Sequence, residues 1–327
     1  MDAKITKTRL GHYLSYEWVK IVAITLAVLL LWLIIFSATA TRIMPSQHYN
    51  VFNYQGTIVG SEFEDYDKFV QNKVFSHEVI EGSSKDMTTA GNEISTLMQA
   101  RTSGHEINAL LVADIDSGDD VKLVDENGQK YTPTYLERVA YGYFPGIFAV
   151  VGDGKKDGIV DLIEAYINPY FTNGYTDVAS IDGQKIERDF RARVTKNKDK
   201  RYKKEEQIQA GVQGEIDRIK RYALALTEFK GYLQDGVIAL QRKTFCFTDS
   251  NGNVSVRTGD YALNLCPDES KMDLKKFVYY WQKKDGEEDK KTCKDVCLLF
   301  FMMPEQYDIY LGEHLLYVNQ MVRTYKI

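Results

Sequence analysis

The chain has little of what usually announces chemistry. Cysteine occurs four times in 327 residues, at Cys246, Cys266, Cys293 and Cys297, and never close to the N-terminus. Histidine occurs five times, at His12, His48, His77, His105 and His314, and never in an H-E-x-x-H or other paired-ligand arrangement. His105-Glu106 and Glu313-His314 are adjacent pairs, which in regular structure face different ways and cannot act together. There is no G-x-S-x-G elbow, no G-x-x-x-x-G-K phosphate cradle and no dinucleotide glycine pattern. Nothing in the sequence therefore argues for an activated nucleophile or a bound nucleotide, and the chain is read as non-enzymatic. Repeats and low-complexity tracts are absent, and the net charge of −5 gives no case for nucleic-acid binding.

Long apolar runs are also lacking, with one exception. Residues 21–36, IVAITLAVLLLWLIIF, contain no charge, glycine or proline. With their neighbours they make roughly 20 residues, enough to cross a bilayer as a helix. Lys4, Lys7, Arg9 and Lys20 precede the run, and only Arg42 follows it before Lys68. Positive flanks stay in the cytoplasm, so the expected topology is N-terminus inside and body outside. Tyr13, Tyr16 and Trp18 suit the headgroup layer. The expected organisation is a cytoplasmic tail over 1–17, a transmembrane helix over 18–40 embedded in the lipid bilayer, and an extracytoplasmic α/β domain of one or two lobes over 41–327. Ala38, Thr39 and Ala40 also fit a cleavage site, but the apolar core is longer than the 7–15 residues of a signal peptide, which favours an uncleaved signal anchor in the cell membrane. No cysteine stands directly after the run to carry a lipid.

An even cysteine count outside the cell suggests disulfides. Cys246 with Cys266 and Cys293 with Cys297 is the short-range pairing, the two crossed pairings stay open, and the alternative is four buried thiols. Zinc is poorly served by a Cys-x3-Cys pair, two distant cysteines and no nearby His.

Along the body, residues 49–54 (YNVFNY) alternate and are β-rich. Residues 63–74 show helical spacing, 78–81 a short strand, 92–103 a helix and 108–115 (NALLVADI) a buried strand. Strand and helix alternate, which predicts a parallel sheet covered by helices. Residues 116–129 form a hairpin or loop, 135–141 a short helix, 146–151 a buried strand, and 161–167 a helix stopped by Pro169. Apolar residues from Ile208 to Leu233 recur at three- to four-residue steps and define a long amphipathic helix. Asn251-Gly252 marks a hairpin. A strand over 297–303 ends at Pro304, and a closing helix carries Tyr307, Leu311, Leu315, Val318 and Val322.

Residues 49–115 resemble the first lobe of the two-lobed extracellular solute-binding proteins that serve ABC importers. VFNYQG matches the opening strand, EVIEGSS the second, NEISTLMQARTSGHE the intervening helix and INALLVADI the third strand. The resemblance implies a solute-binding-like α/β fold of mixed or parallel sheet and a role in transport, with an importer permease or another membrane complex as partner. It also implies ligand at the carboxyl ends of the strands, carried by Asn53, Tyr54 and Gln55 after the first strand and by Asp114 and Asp116 after the third. The second expectation, from a different class, is a structural or scaffold subunit of an envelope complex.

Two local stretches add candidates. Residues 153–164, DGKKDGIVDLIE, resemble an EF-hand-type calcium loop, with Asp153, Asp157, Asp161 and Glu164 at ligand positions and Gly158 at the turn. Lys155 occupies a position where an oxygen ligand belongs. The alternative is a glycine-rich turn into a helix. Residues 185–204 are strongly basic and could meet anionic lipid or wall polymers, or could simply be solvated. They lack the interleaved aromatics of a single-strand nucleic-acid site.

Overall fold

The apolar run folds as α1, an α-helix over Lys7–Thr39. Within it Trp18–Ser37, 20 residues, is long and apolar enough to cross a membrane. At 1.5 Å per residue it spans about 30 Å, the thickness of a hydrocarbon core. Ile24, Leu26, Leu31, Trp32 and Ile34 are all exposed, so the helix is apolar all round and has no polar stripe. Its one hydroxyl in the middle turn is satisfied internally: Thr25 Oγ1 donates to Ile21 O at 2.8 Å.

The computed structural model describes residues 7–39, 48–63, 74–76, 81–88, 94–104, 106–118, 122–125, 127–142, 148–152, 157–197, 199, 201–248, 254–282, 289–301 and 307–327. The chain divides into two compact units, Met1–Ile43 and Met44–Ile327. The second unit opens with β1 (His48–Asn53), β2 (Ile58–Val59), β3 (Glu81–Asp86), α2 (Ile94–Ser103) and β4 (Ala109–Ala113). A small hairpin of β5 (Leu123–Val124) and β6 (Lys130–Tyr131) leads to α3 (Tyr135–Gly142), α4 (Ile159–Ile167), α5 (Gly183–Asn197) and α6 (Glu205–Gln234). The long hairpin of β7 (Ala239–Thr248) and β8 (Val254–Asn264) follows, then β9 (Val278–Gln282), β10 (Lys290–Thr292), β11 (Val296–Phe300) and the closing helix α7 (Tyr307–Tyr325).

Among the described residues six strands make one sheet in the order β3-β1-β4-β11-β8-β7. β3, β1 and β4 are parallel; β11 is antiparallel to both β4 and β8, and β8 to β7. The sheet is therefore mixed, parallel on one side only. The parallel half comes from strands joined through crossovers; in the other half β7 and β8 form a hairpin, whose direct connection forces antiparallel neighbours, and β11 inserts between β4 and β8 antiparallel to both.

The sheet is covered on both faces. Ala109, Leu111 and Ala113 of β4 point into one apolar layer, with Tyr49, Val51, Leu298, Phe300 and side chains of α4, α6 and α7. Leu110 and Val112 point into the other, with Phe52, Met98 of α2, and Leu136 and Val139 of α3. All five residues of β4 are buried, because successive strand residues face opposite layers and both layers are filled.

Most predicted elements appear where the pattern placed them. The strand predicted at 78–81 is β3, shifted to Glu81–Asp86; residues 78–80 lie outside the described residues. For the helix predicted over 63–74, Phe63 and Val74 lie in turns and 64–73 are outside the described residues. The strand predicted at 146–151 is reduced to a bridge between Phe148 and Phe301, extended by Ala149 N to Phe300 O at 2.9 Å.

Candidate functional site

The three parallel strands stand in the order second, first, third along the chain. Chain connections leave β1 and β4 in opposite directions, so a topological switch point falls between their carboxyl ends. In open α/β sheets ligands bind in the crevice at such a point. Asn53, Tyr54 and Gln55 follow β1 at this point, and Asp114 and Asp116 follow β4.

Asn53 is fully buried and its amide is committed to the protein. Its Nδ2 donates to Asp86 Oδ1 at 3.1 Å, at the end of β3, and its Oδ1 accepts from Thr57 Oγ1 at 2.6 Å. Met87 N donates to Asn53 O at 2.9 Å, so this one residue ties the ends of β1 and β3 to the following loop. Tyr54 N donates to Leu111 O at 2.9 Å, and the Tyr54 ring is buried in the layer of α2 and α3. Gln55 is half-buried and reaches solvent. Gly56 has φ +86°, and a Cβ there would lie 2.5 Å from the Tyr135 ring. Glycine is needed both for the left-handed turn and for the close approach of that ring.

Tyr135 is set by the start of α3. Thr134 N donates to Glu137 Oε2 at 3.0 Å and Glu137 N to Thr134 Oγ1 at 3.2 Å, a capping box. Tyr135 N then bonds Ile115 O at 2.9 Å, which docks the helix start on the chain leaving β4. Beside it, Lys243 of β7 places Nζ 2.9 and 2.7 Å from the two carboxylate oxygens of Asp114. Both side chains are largely covered, at 18% and 11% exposure, so the pair is screened less than a surface ion pair. Asp114 N donates to Asp295 O at 2.9 Å, and Asp295 adopts φ 61° in the turn before β11. Asp116 is exposed and accepts from Gly118 N at 2.8 Å.

Of the five residues predicted to line the site, Asn53 and Tyr54 face inward, Asp114 is paired, and Gln55 and Asp116 reach solvent. The rim adds Tyr135 and Lys243. A threonine three residues before a glutamate, TYLE, signals the helix start that carries Tyr135. Nothing local signals Lys243, which meets Asp114 across 129 residues of chain. The assembled groups offer an amide, a phenol ring, a carboxylate and an ammonium for polar recognition.

The calcium-loop residues are arranged otherwise. α4 begins at Ile159 after an extended Gly158, so Asp161 and Glu164 lie on a helix; upstream, Val151 N is bonded to Asp260 O at 2.8 Å. Glu164 is engaged by Lys230 Nζ at 2.5 Å, which also donates to Tyr175 OH at 2.9 Å. Asp157 is exposed, and Asp153 lies outside the described residues. Among the described residues no three His, Cys, Asp or Glu side chains come together as a metal site.

The basic stretch is α5 and the turn into α6, and much of its charge is answered locally. Arg191 bridges Glu187 and Glu205, Arg193 meets Glu215 at 3.0 Å, and Arg201 meets Asp199 at 2.7 Å. Glu205 holds the Arg191 guanidinium high and is itself held down to about 2 by it. Phe190 and Tyr202 pack edge-to-face at 5.1 Å, so neither is a free platform. Lys196, Lys203 and Lys204 remain exposed, while Lys198 and Lys200 lie outside the described residues.

The cysteines fall into different places. Cys266 and Cys293 are both fully buried in the α4–α6–α7 layer, with sulfurs 3.3 Å apart. Cys297 is buried in the opposite layer, its Sγ 3.3 Å from Gln241 Oε1. Cys293 and Cys297 are thus separated by the sheet itself. Cys246 lies on β7 opposite Val256, whereas Cys266 follows the far end of β8. The juxtaposed pair is therefore a crossed one, neither Cys246 with Cys266 nor Cys293 with Cys297. The short-range pairing fails because chain proximity does not set which face of a sheet a side chain takes.

No protein-family model matches the chain, and no curated protein or solved structure is significantly similar to it.

Proposed function

We propose that this chain is a single-span membrane-anchored recognition protein that binds a polar ligand and catalyses no reaction. In this reading α1 crosses the cytoplasmic membrane, its basic leader stays in the cytosol, and Met44–Ile327 works outside as a solute-binding-like body. The observation that carries the ligand reading is the second-first-third order of the parallel strands. That order sets a switch point at the ends of β1 and β4, where Gln55, Tyr135, Asp116 and the Asp114–Lys243 pair gather. Such a rim offers a ring to stack on and opposite charges to orient a polar solute. An importer permease is the membrane partner this reading implies.

The test is a thermal-shift screen of the full chain in lipid nanodiscs against sugars, amino acids, peptides and polyamines. A ligand at one hundred times its Kd contributes about 2.7 kcal/mol, a shift of roughly 5 °C for a body of this size. Gln55→Ala should remove the shift without altering the unliganded melt, and Tyr135→Ala should remove it relative to that variant's own, lower, unliganded melt. A ligand whose shift survives both substitutions binds elsewhere and overturns the site.

A second reading, a scaffold subunit of an envelope complex, is favoured by one surface. In the small sheet β10-β9-β2, Ile58 pairs with Tyr279, and Trp281 pairs with Lys291. Ile58 is 40% and Trp281 47% exposed. Cross-linking from this face in native membranes, with recovery of one protein partner lost on Trp281→Ala, would favour the scaffold.

A further inference from the structure

The pair Cys266 and Cys293 stands apart from the rim in the opposite layer and plays no part in the reading above. Both backbones are fixed. Cys266 N donates to Asn264 Oδ1 at 3.0 Å, and Cys293 N donates to Glu269 Oε1 at 2.9 Å. The sulfurs sit in one chain of weak hydrogen bonds: Leu274 N to Cys293 Sγ at 3.3 Å, Cys293 Sγ to Cys266 Sγ at 3.3 Å, and Cys266 Sγ to Met272 O at 3.1 Å. A proton leaves more easily from Cys293, because once it has gone the Cys266 thiol can turn from Met272 O to donate to that sulfur, to which the Leu274 amide already donates. Closing the gap to a bonded distance of about 2 Å takes about 1 Å of side-chain movement.

We propose that Cys266 and Cys293 form an intramolecular disulfide that staples the end of β8 to the end of β10. The bond closes a loop over 267–292 that carries β9, Trp281 and most of the small sheet. The other two cysteines cannot compete. Cys297 points into the far layer, and Cys246 lies opposite Val256, eight positions along β8 from Asn264, which Cys297 faces. At 3.3 Å per residue that is about 26 Å.

The oxidant is a disulfide of the thiol-exchange class. The Cys293 thiolate attacks one of its sulfurs, forming a mixed disulfide and releasing one thiolate. Cys266 gives up its proton and attacks the Cys293 sulfur, which forms the internal bond and expels the second thiolate. Two electrons pass to the oxidant, which leaves as two thiols once it takes up the two protons. Because both sulfurs are buried, exchange takes place during folding or through local opening.

The experiment uses the purified, reduced full chain in detergent, incubated with glutathione disulfide at a sub-denaturing urea concentration. Acid quench, unfolding, alkylation and peptide mapping then locate every bond. The expected product is a single peptide pair joining Cys266 to Cys293, unchanged in the Cys246→Ser/Cys297→Ser double variant. The oxidised form should melt roughly 5–10 °C above the reduced form. In Cys293→Ser, Cys266 should end as a glutathione adduct; the map of the unaltered chain decides if that variant fails to fold. Alkylation of both residues, a separate glutathione on each, or a dominant link through Cys246 or Cys297 would overturn the staple. The map is made on purified protein, so its failure leaves the sidedness of the anchor untouched.

Discussion

Lowering the pH from 7 to 5 should remove about 2 kcal/mol of stability through one side chain, His314. The imidazole lies on α7 at 3% exposure, its ring centroid 4.3 Å from that of Phe300 and its Nδ1 2.7 Å from Tyr49 OH. Burial alone pushes its pKa down to about 3, against about 6.5 in an unfolded chain. The native state keeps the ring neutral while the unfolded state takes up a proton. The contribution is therefore complete above pH 6.5 and is lost as the pH falls from there toward 3. Protonation of the unfolded chain is worth about 2 kcal/mol at pH 5, against roughly a few tenths at pH 7.

The neighbour Glu313 acts with the opposite sign. Burial raises its carboxyl, although Ser76 and Tyr222 donate to it. Its contribution is present at low pH and lost as the pH rises through the raised value. The assay is therefore urea unfolding at pH 7 and pH 5 of the parent, His314→Gln and Glu313→Gln. The His314 variant should lose about 2 kcal/mol less than the parent over this interval, and the Glu313 variant should lose more. Equal losses in parent and His314→Gln, within about 0.5 kcal/mol, would refute a neutral buried imidazole.

Three further outcomes follow from contacts. A Cβ on Gly312 would lie 2.2 Å from the Tyr222 ring, so Gly312→Ala should cost about 1–3 kcal/mol in a urea melt by overpacking the α6–α7 contact. Glu215 is 9% exposed between Arg193, Arg218 and Tyr166, so Glu215→Ala should cost about 1–3 kcal/mol by taking the carboxylate from the covered Arg218 guanidinium, the half-exposed Arg193 turning to water, with Glu215→Gln recovering part of it. Trp281→Ala should leave stability within about 0.5 kcal/mol because the indole is half exposed, as thermal melts would check.

What the sequence disclosed depended on how far apart the interacting residues lie. α1, α6 and α7 were legible because 3.6-residue periodicity, or an unbroken apolar run, is a local signal. β4 was legible as a short apolar run, since both its faces are buried. The β7–β8 hairpin was legible from Asn251-Gly252, which lies outside the described residues, while the lengths of its strands, from Ala239 and to Asn264, were set by long-range pairing. β3 was displaced because EGSSKD is polar and its strand character comes from pairing with β1, not from its own residues. α5 was hidden because alternating charges mask Ile186 and Phe190, its buried residues. β2, β9 and β10 escaped notice for the same reason as Lys243: their partners are long-range. At the ends of β1 and β4, to which strand order points, Asn53 and Tyr54 turn inward because loop closure after β1 uses them. The Cys266–Cys293 juxtaposition required knowing which layer each strand end faces.

Sidedness is the claim on which the recognition reading stands, and protease accessibility tests it most directly. With an epitope at the N-terminus, protease added to intact cells should degrade Met44–Ile327 and leave a protected, tagged fragment the length of α1 and its leader. Survival of the whole body in intact cells, with digestion only after the membrane is opened, would contradict the account.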